Sequence, residues 1–244
     1  MSYNVFAGVY DRLMSDCDYH ARAEYLLGLF SRFGEKPKLM LDLCCGTGSM
    51  SVELMKRGVD VIAVDMSAEM LSVAKEKAAD MNLNMLCLCQ DATELDLFGT
   101  VDGAICTLDS LNHIIDYDDL CEAIAKVSLF LEPGCLFIFD VNTQYKHSDI
   151  LANNTFVIDD EDVYCVWQNY TESNITDITL DLFVRNGDTY HRGTEQFSER
   201  AYTDSEIDRA IEMAGLEKVA VFADMTSEAP TLDCERKIYT VRKK

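Results

Sequence analysis

The stretch LMLDLCCGTGSMS at residues 39 to 51 constrains the fold of this chain more than any other. Leu39, Met40, Leu41 and Leu43 make a short apolar run of the kind a parallel sheet buries, and Asp42 stands near its C-terminal end. Gly46 and Gly48 then let the backbone turn tightly and approach a ligand, while the helix opening at Ser49 turns free N–H groups toward an anionic group. Strand, glycine turn and helix in this order predict a nucleotide-type cradle. The same pattern also fits a plain turn between any strand and any helix, so the rest of the chain decides.

From residue 37 apolar strands alternate with helical segments. The first strand ends at Leu43 and a helix follows over 49 to 56; strand two, 59 to 64, ends at Asp65, and Ser67 caps a helix with Met70, Leu71 and Ala74 on its apolar face. Strand three covers 84 to 89, ahead of Gln90, Asp91 and Ala92. Strand four, 101 to 108, leads into Asp109, Ser110, Leu111, Asn112 and His113, then a helix over 117 to 131 and strand five over 136 to 141. Five strands separated by helices predict a parallel sheet covered on both faces, because a parallel return needs a right-handed crossover.

Two amphipathic helices precede this unit, over 3 to 14 with Phe6, Val9, Tyr10 and Leu13, and over 19 to 33 with Tyr19, Ala23, Leu26, Leu27 and Phe30. After Asn142 the segments 155 to 158, 163 to 170, 175 to 184 and 189 to 200 are β-rich and separated by turn residues, which predicts an antiparallel insertion of three or four strands. Thr203 and Glu206 form a capping box for a last helix that Gly215 ends, and strands at 219 to 222 and 237 to 241 complete the sheet antiparallel to one another. The expected units are a helical cap (1–36), a core (37–142), the insertion as a lid, substrate or dimer surface (143–200), and a C-terminal completion of the sheet (201–244).

Composition removes several classes of function. A net charge of −22, from 43 acids and 21 bases, repels a phosphate backbone, and only Arg242, Lys243 and Lys244 cluster, so no nucleic-acid partner is expected. A hydrophobic content of 48% excludes a disordered chain. No apolar stretch approaches the roughly 20 residues of a membrane span, and the N-terminus lacks a secretory pattern, which makes the cytoplasm the expected location. Most of the ten cysteines sit inside apolar runs, as small core residues with reduced thiols. Cys44 with Cys45, and Cys87 with Cys89, lack companions at zinc-site spacing, so no metal is expected.

In an open parallel sheet a ligand sits beyond the carboxyl ends of the strands, where the strand order reverses. That crevice would collect Asp42 and the 46-to-48 loop from strand one, Asp65 from strand two, Asp91 from strand three and residues 107 to 113 from strand four. Asp65 is placed to accept ribose hydroxyls, Asp91 to accept from an adenine amine, and Met66 to pack on a purine face. Together they describe a nucleoside site without saying which nucleoside. A dinucleotide fingerprint places glycine where Ser51 stands, and an acid at Asp42 is awkward beside a pyrophosphate. Asp42 suits a ligand with an amino group.

LDLCCGTG at 41 to 48 resembles the first motif of the class I S-adenosylmethionine-dependent methyltransferases, with Cys44 where that motif usually has glycine. Asp65 in VIAVDMS is similar to the family's ribose-binding acid, Asp91 in CQDA to its adenine-side acid, ICTLDSLNHI to its fourth-strand motif and LEPGCLFIFDVN to its entry into strand five. The opening YNVFAGVYDRLM and the β-rich insertion resemble small-molecule N-methyltransferases of the glycine and sugar-amine kind. The resemblance implies an α/β fold, a Rossmann-like three-layer α/β/α sandwich whose mostly parallel seven-stranded sheet has the order 3-2-1-4-5-7-6, with strand 7 antiparallel. It implies S-adenosylmethionine as cofactor, S-adenosylhomocysteine as product and a small-molecule acceptor that takes the methyl group by in-line displacement, with nitrogen favoured over oxygen.

By the same resemblance Asp42, Cys44, Gly46, Gly48, Asp65, Met66, Asp91, Ala92, Leu108, Tyr10 and Tyr19 bind cofactor, with Tyr3 sharing in a helical cover. Asp109, Asn112, His113 and Tyr10 are the candidate catalytic residues, His113 as proton acceptor or as a satisfied structural residue. Glu195, Glu199, Arg200 and Tyr202 read either as a lid wall or as a salt-bridged strand and turn, and Trp167 as insertion core ahead of an aromatic cage. The insertion also offers a homodimer surface. A nicotinamide-dependent oxidoreductase and a cofactor-binding regulator without turnover are the alternatives.

Overall fold

The apolar runs form strands β1 (Leu39–Leu43), β2 (Asp60–Asp65), β3 (Leu86–Cys89), β4 (Gly103–Cys106) and β5 (Leu136–Asn142). The structure, a computed structural model, describes residues 3–244, with side chains from Phe6 onward. Ahead of β1 lie helices α1 (Tyr3–Leu13) and α2 (Tyr19–Arg32); between the strands run α3 (Ser49–Lys56), α4 (Ala68–Asp80) and α5 (Tyr117–Phe130). After β5 come β6 (Thr155–Asp159), β7 (Val163–Glu172), β8 (Ile175–Asn186) and β9 (Thr189–Arg200), then α6 (Asp204–Met213), β10 (Leu216–Ala223) and β11 (Arg236–Lys243).

The main sheet has the order β10-β11-β5-β4-β1-β2-β3, with β11 antiparallel to both its neighbours and the other pairs parallel. This is the order 3-2-1-4-5-7-6 that the motifs imply. Every residue of β5 is buried because both its faces are covered. Phe137, Phe139 and Val141 pack with Leu120, Ile124 and Val127 of α5 and Ile207 of α6, while Leu136 and Ile138 face the layer of Leu26, Phe30, Met50 and Leu54 from α2 and α3. These two apolar layers make the three-layer sandwich.

Strand four is shorter than expected. Val101 makes only an isolated bridge to Leu131, and the chain leaves the sheet after Cys106, because the N–H groups of Leu108 and Asp109 turn to the Asp140 carboxylate at 2.8 and 2.7 Å. Strand three likewise begins only at Leu86. The segment after β5, without periodicity in the sequence, carries a π-helical turn over Lys146–Leu151.

Strands β6 to β9 form a separate four-stranded antiparallel sheet. One face of it buries Val163, Cys165, Ile178 and Leu182 against Val9, Phe6 and Leu13 of α1. The first helix is therefore the insertion's packing partner, and the two cover the sheet's open end together. Asp11 of α1 fastens this cover to the glycine loop: its Oδ1 accepts from the hydroxyls of Thr47 (2.6 Å) and Ser49 (3.2 Å), and its Oδ2 pairs with Lys77 of α4 at 2.7 Å.

Gly48 N-caps α3 in the left-handed region at φ 72°, and a Cβ there would stand 2.8 Å from the Ala74 Cβ. Gly48→Ala is expected to lower stability by about 1–3 kcal/mol, from backbone strain and overpacking together. Urea unfolding checks this as a lower midpoint at unchanged slope; an unchanged midpoint would mean that α4 yields without cost.

Candidate active site

Asp65 ends β2, the neighbour of β1, from which the strand order runs out in both directions. Its Oδ2 accepts from the Gly46 N–H at 2.8 Å and its Oδ1 from the Ser67 N–H at 2.9 Å, so one carboxylate ties the loop after β1 to the turn before α4. Burial raises its pKa, opposed by those two hydrogen bonds. Gly46 follows with φ 55°, and a Cβ built there would meet no atom within 4 Å, so the bare backbone faces open space. Cys44, where the motif usually has glycine, adopts φ 57°, at a cost of about 1–2 kcal/mol for a side-chain-bearing residue.

Asp42 lies beneath this loop, not in the crevice. It is 1% exposed and accepts a short hydrogen bond from the Ser51 hydroxyl. Burial pushes its carboxyl up to about 7, the Ser51 hydrogen bond pulls it down and the charge of Asp65 raises it again. Gly48 is also behind the lining, spent on α3 packing. The carboxylate oxygens of Asp91 lie beside the third strand's end, with Oδ1 taking the N–H of Thr93 at 2.8 Å and its hydroxyl at 2.7 Å. Met66, 69% exposed, and Ala92 line the same side.

At the end of β4, Leu108 and Asp109 adopt φ 61° and 55° in succession. Such backbone persists only where the surroundings hold it, and here the Asp140 carboxylate does so. Asp109 keeps its own carboxylate engaged: Oδ1 pairs with Arg236 at 2.7 Å and Oδ2 accepts from Asn142 at 2.7 Å. Asn112 is fully buried, its amide donating to the carbonyls of Asn142 (3.2 Å) and Arg200 (2.8 Å) while its oxygen accepts from the Asn142 N–H at 2.9 Å. The acceptor-orienting role expected for Asn112 is thus replaced by a clamp between the core and the insertion. His113 does reach the cavity. Its ring lies 5.0 Å from that of Phe197, its Nε2 is 3.8 Å from Glu199, and desolvation lowers its pKa.

The cover contributes the opposite wall. Tyr10 lines the cavity, and burial raises its hydroxyl pKa, with Asp109 adding to the effect. Tyr19 packs against the core below α2 and is not in the lining; the Tyr3 side chain lies outside the described residues. Glu195, Phe197 and Glu199 alternate along β9 and so share a face, which is the cavity face, and Trp167 of β7 joins them. Trp167 is therefore wall and not only insertion core. The segment 195–202 divides: Glu195 and Glu199 are wall, whereas Arg200 pairs with Glu206 at 2.6 Å and the Tyr202 hydroxyl donates to the Ile114 carbonyl. No local signal marks Asp11 or His147 in the sequence, because their partners lie far along the chain.

Cradle and cover enclose a cavity of about 580 Å³, within the roughly 300–1,000 Å³ typical of ligand sites. It brings together Tyr10, Cys44, Gly46, Asp65, Met66, Asp91, and with them Ala92, Leu108, Asp109 and His113. Among the described residues no helix is long and apolar enough to cross a membrane.

Residues 40–134 match a family described as a methyltransferase domain. The full chain is 32% identical over 246 residues to YqeM of Bacillus subtilis strain 168, named as a methyltransferase, with 100% of this chain and 98% of that protein aligned. A crystal structure of an S-adenosylmethionine-dependent methyltransferase from Clostridium acetobutylicum ATCC 824 is 35% identical with a TM-score of 0.92, covering 99% of this chain and 98% of that one. The sugar N-methyltransferase KedS8 from Streptoalloteichus sp ATCC 53650 shares the fold at 17% identity and a TM-score of 0.80, covering 96% and 93%. The chain belongs to the class I S-adenosylmethionine-dependent methyltransferases. That membership decides against a nicotinamide cofactor and against a regulator without turnover.

S-adenosylmethionine is the cofactor, and the lining fits it: bare backbone at Gly46, acids at the ends of β2 and β3 and the apolar side chain of Met66 between them. Asp42 offers a test of how this cradle is supported. A carboxyl that titrates at about 7 when folded, against roughly 3.9 unfolded, keeps a proton in the native state that the unfolded chain has lost. Its contribution is fully present below about pH 4 and is lost as pH rises through about 7. Asp42→Asn is expected to flatten the fall in stability between those limits, read from urea midpoints of variant and wild type at pH 5 and pH 8. Parallel pH profiles would contradict the assignment.

Proposed function

We propose that this methyltransferase acts on nitrogen in a small-molecule amine. One observation carries the reading: the cavity wall facing the cradle combines two buried acids, Glu195 and Glu199, with the rings of Trp167 and Phe197. Among the described residues no lysine or arginine lies within 4 Å of either acid's carboxylate. Buried acids call for a cationic or hydrogen-bonding partner, and aromatic faces attract an ammonium group. An amine satisfies both, whereas a phenolate acceptor would meet like charge. The sugar N-methyltransferase fold neighbour is compatible with this choice.

In this reading Asp65 and Asp91 hold the nucleoside, Tyr10 covers it, and Asp109, fixed by Arg236 and Asn142, shapes the floor on which the acceptor rests. When bound, S-adenosylmethionine supplies an electrophilic methyl group, and the carbon–sulfur electron pair stays on sulfur. The chain's task is then to orient the acceptor at attack distance and exclude water. The acidic net charge of −22 supports a cationic small molecule over a nucleic acid, and a cytoplasmic setting suits ten free cysteines.

A methyl-transfer screen over aliphatic amines, amino acids, aminosugars and phenols, detecting S-adenosylhomocysteine, is expected to give turnover with amines and none with phenols. Turnover confined to phenols would contradict the nitrogen assignment. Asp65→Asn should weaken S-adenosylhomocysteine binding about 10- to 100-fold by calorimetry, the loss expected for charge-assisted hydrogen bonds. Unchanged affinity would place the ribose elsewhere.

A further inference from the structure

Behind the cavity wall, the ring of His147 spans two residues that oppose each other in the β8–β9 ladder, Thr176 and Glu199. Its Nδ1 lies 2.8 Å from the Thr176 hydroxyl, and its Nε2 lies 3.7 Å from Glu199 Oε2. The imidazole is 1% exposed, and its Nε2 has no hydrogen-bond partner. Burial lowers the pKa of His147 to about 4, which makes it neutral.

The hydrogen-bond pattern fixes which nitrogen carries the proton. Thr171 donates its hydroxyl to the Ala152 carbonyl at 2.7 Å, because a carbonyl can only accept. The contact between the Thr171 and Thr176 hydroxyls, 2.9 Å, must then use the Thr176 hydrogen. Thr176 has none left for the imidazole and accepts from Nδ1–H. The Nε2 atom is therefore a bare lone pair aimed at a buried carboxyl group.

Glu199 presents its other side to the cavity, with Oε1 3.8 Å from His113 Nε2. Other charged groups around it are Asp109 from the turn after β4, Arg236 from β11 and Lys146 beside His147; Asn142 donates to Oε2 at 3.5 Å. Burial, with Asp109 adding to it, raises the Glu199 pKa, while the Asn142 hydrogen bond, Arg236 and Lys146 lower it.

We propose that Glu199 accepts the proton that the acceptor nitrogen loses on methylation, and that His147, locked by Thr176 as its Nδ1–H tautomer, is the positioning residue that receives the resulting carboxyl O–H on Nε2. This rests on the cavity being the site of methyl transfer to an amine. The nitrogen lone pair becomes the new N–C bond, the electrons of one N–H bond return to nitrogen, and the released proton converts the Glu199 carboxylate to the acid. Opening of the cavity returns that proton to water. The present 3.7 Å separation exceeds a hydrogen bond by about 0.5–1 Å, within reach of a small rotation of Glu199.

Nitrogen-15 NMR of the histidines in the full chain tests the pair without any acceptor. The wild type is expected to show neutral His147 protonated on Nδ1, with an Nε2 resonance that moves in one step as Glu199 ionises, at a midpoint well above the ~4.3 of a free glutamate. Glu199→Gln should abolish that step. Thr176→Val, which frees His147 to protonate Nε2 and donate to the carboxylate, should shift it to lower pH. Neutral His147 protonated on Nε2 in the wild type, or an unchanged step in Glu199→Gln, would overturn the pairing. With the best amine from the screen, Glu199→Gln should lower kcat about 100-fold or more at unchanged KM for S-adenosylmethionine and remove the same limb from the pH profile. Full kcat in that variant defeats proton acceptance while leaving the amine reading intact; a screen without amine turnover defeats that reading while the NMR step still judges the pair.

Discussion

The Asp65 carboxylate, holding the N–H groups of Gly46 and Ser67, is the contact on which the open end of the sheet depends. It fixes the loop after β1, and the loop carries Thr47 to the Asp11 carboxylate on α1. Helix α1 in turn supplies Val9, Phe6 and Leu13 to the apolar face of the insertion. A path of direct contacts thus runs from a strand-end acid to the sheet that forms the far wall. Cradle and far wall are mechanically linked, and α1 is the connecting member.

A second network fixes the floor. Asp140 draws two backbone N–H groups out of line with β4 and stabilises consecutive left-handed residues, Leu108 and Asp109. Arg236 compensates the charge, pairing with Asp109 and lying 3.5 Å from Asp140. Glu199 and Glu195 face the cavity from the opposite wall with no lysine or arginine within 4 Å among the described residues, whereas Asp109 on the floor is paired with the part-buried Arg236. The charge arrangement, more than cavity size, argues for the class of acceptor.

Strands of the core and the acids at their ends were legible because apolar runs, glycines and caps are local signals. Four strands of the insertion were legible for the same reason. Asp42 shows the limit: its position before the loop points to an ammonium contact, but the facing Ser51, in the first turn of α3, captures its carboxylate below the loop. Strand four looked longer because its apolar composition continues past Cys106, where the remote Asp140 overrides it. The position of Asn112 after strand four points to a ligand-facing residue, yet its partners Asn142 and Arg200 meet it only in three dimensions. Nothing local distinguishes Asp11 or His147, whose contacts with Thr47 and Thr176 lie 36 and 29 residues away.

We propose that one cavity, built by the cradle and closed by α1 with the insertion, holds the cofactor. Hydrogen exchange of the full chain with and without S-adenosylhomocysteine tests it most directly. Added protection should concentrate at residues 43–47, 64–67, 90–93 and 108–110, with a smaller gain in α1, and none in β10 or the outer strands' turns. Protection elsewhere, or none at saturating ligand, would contradict it.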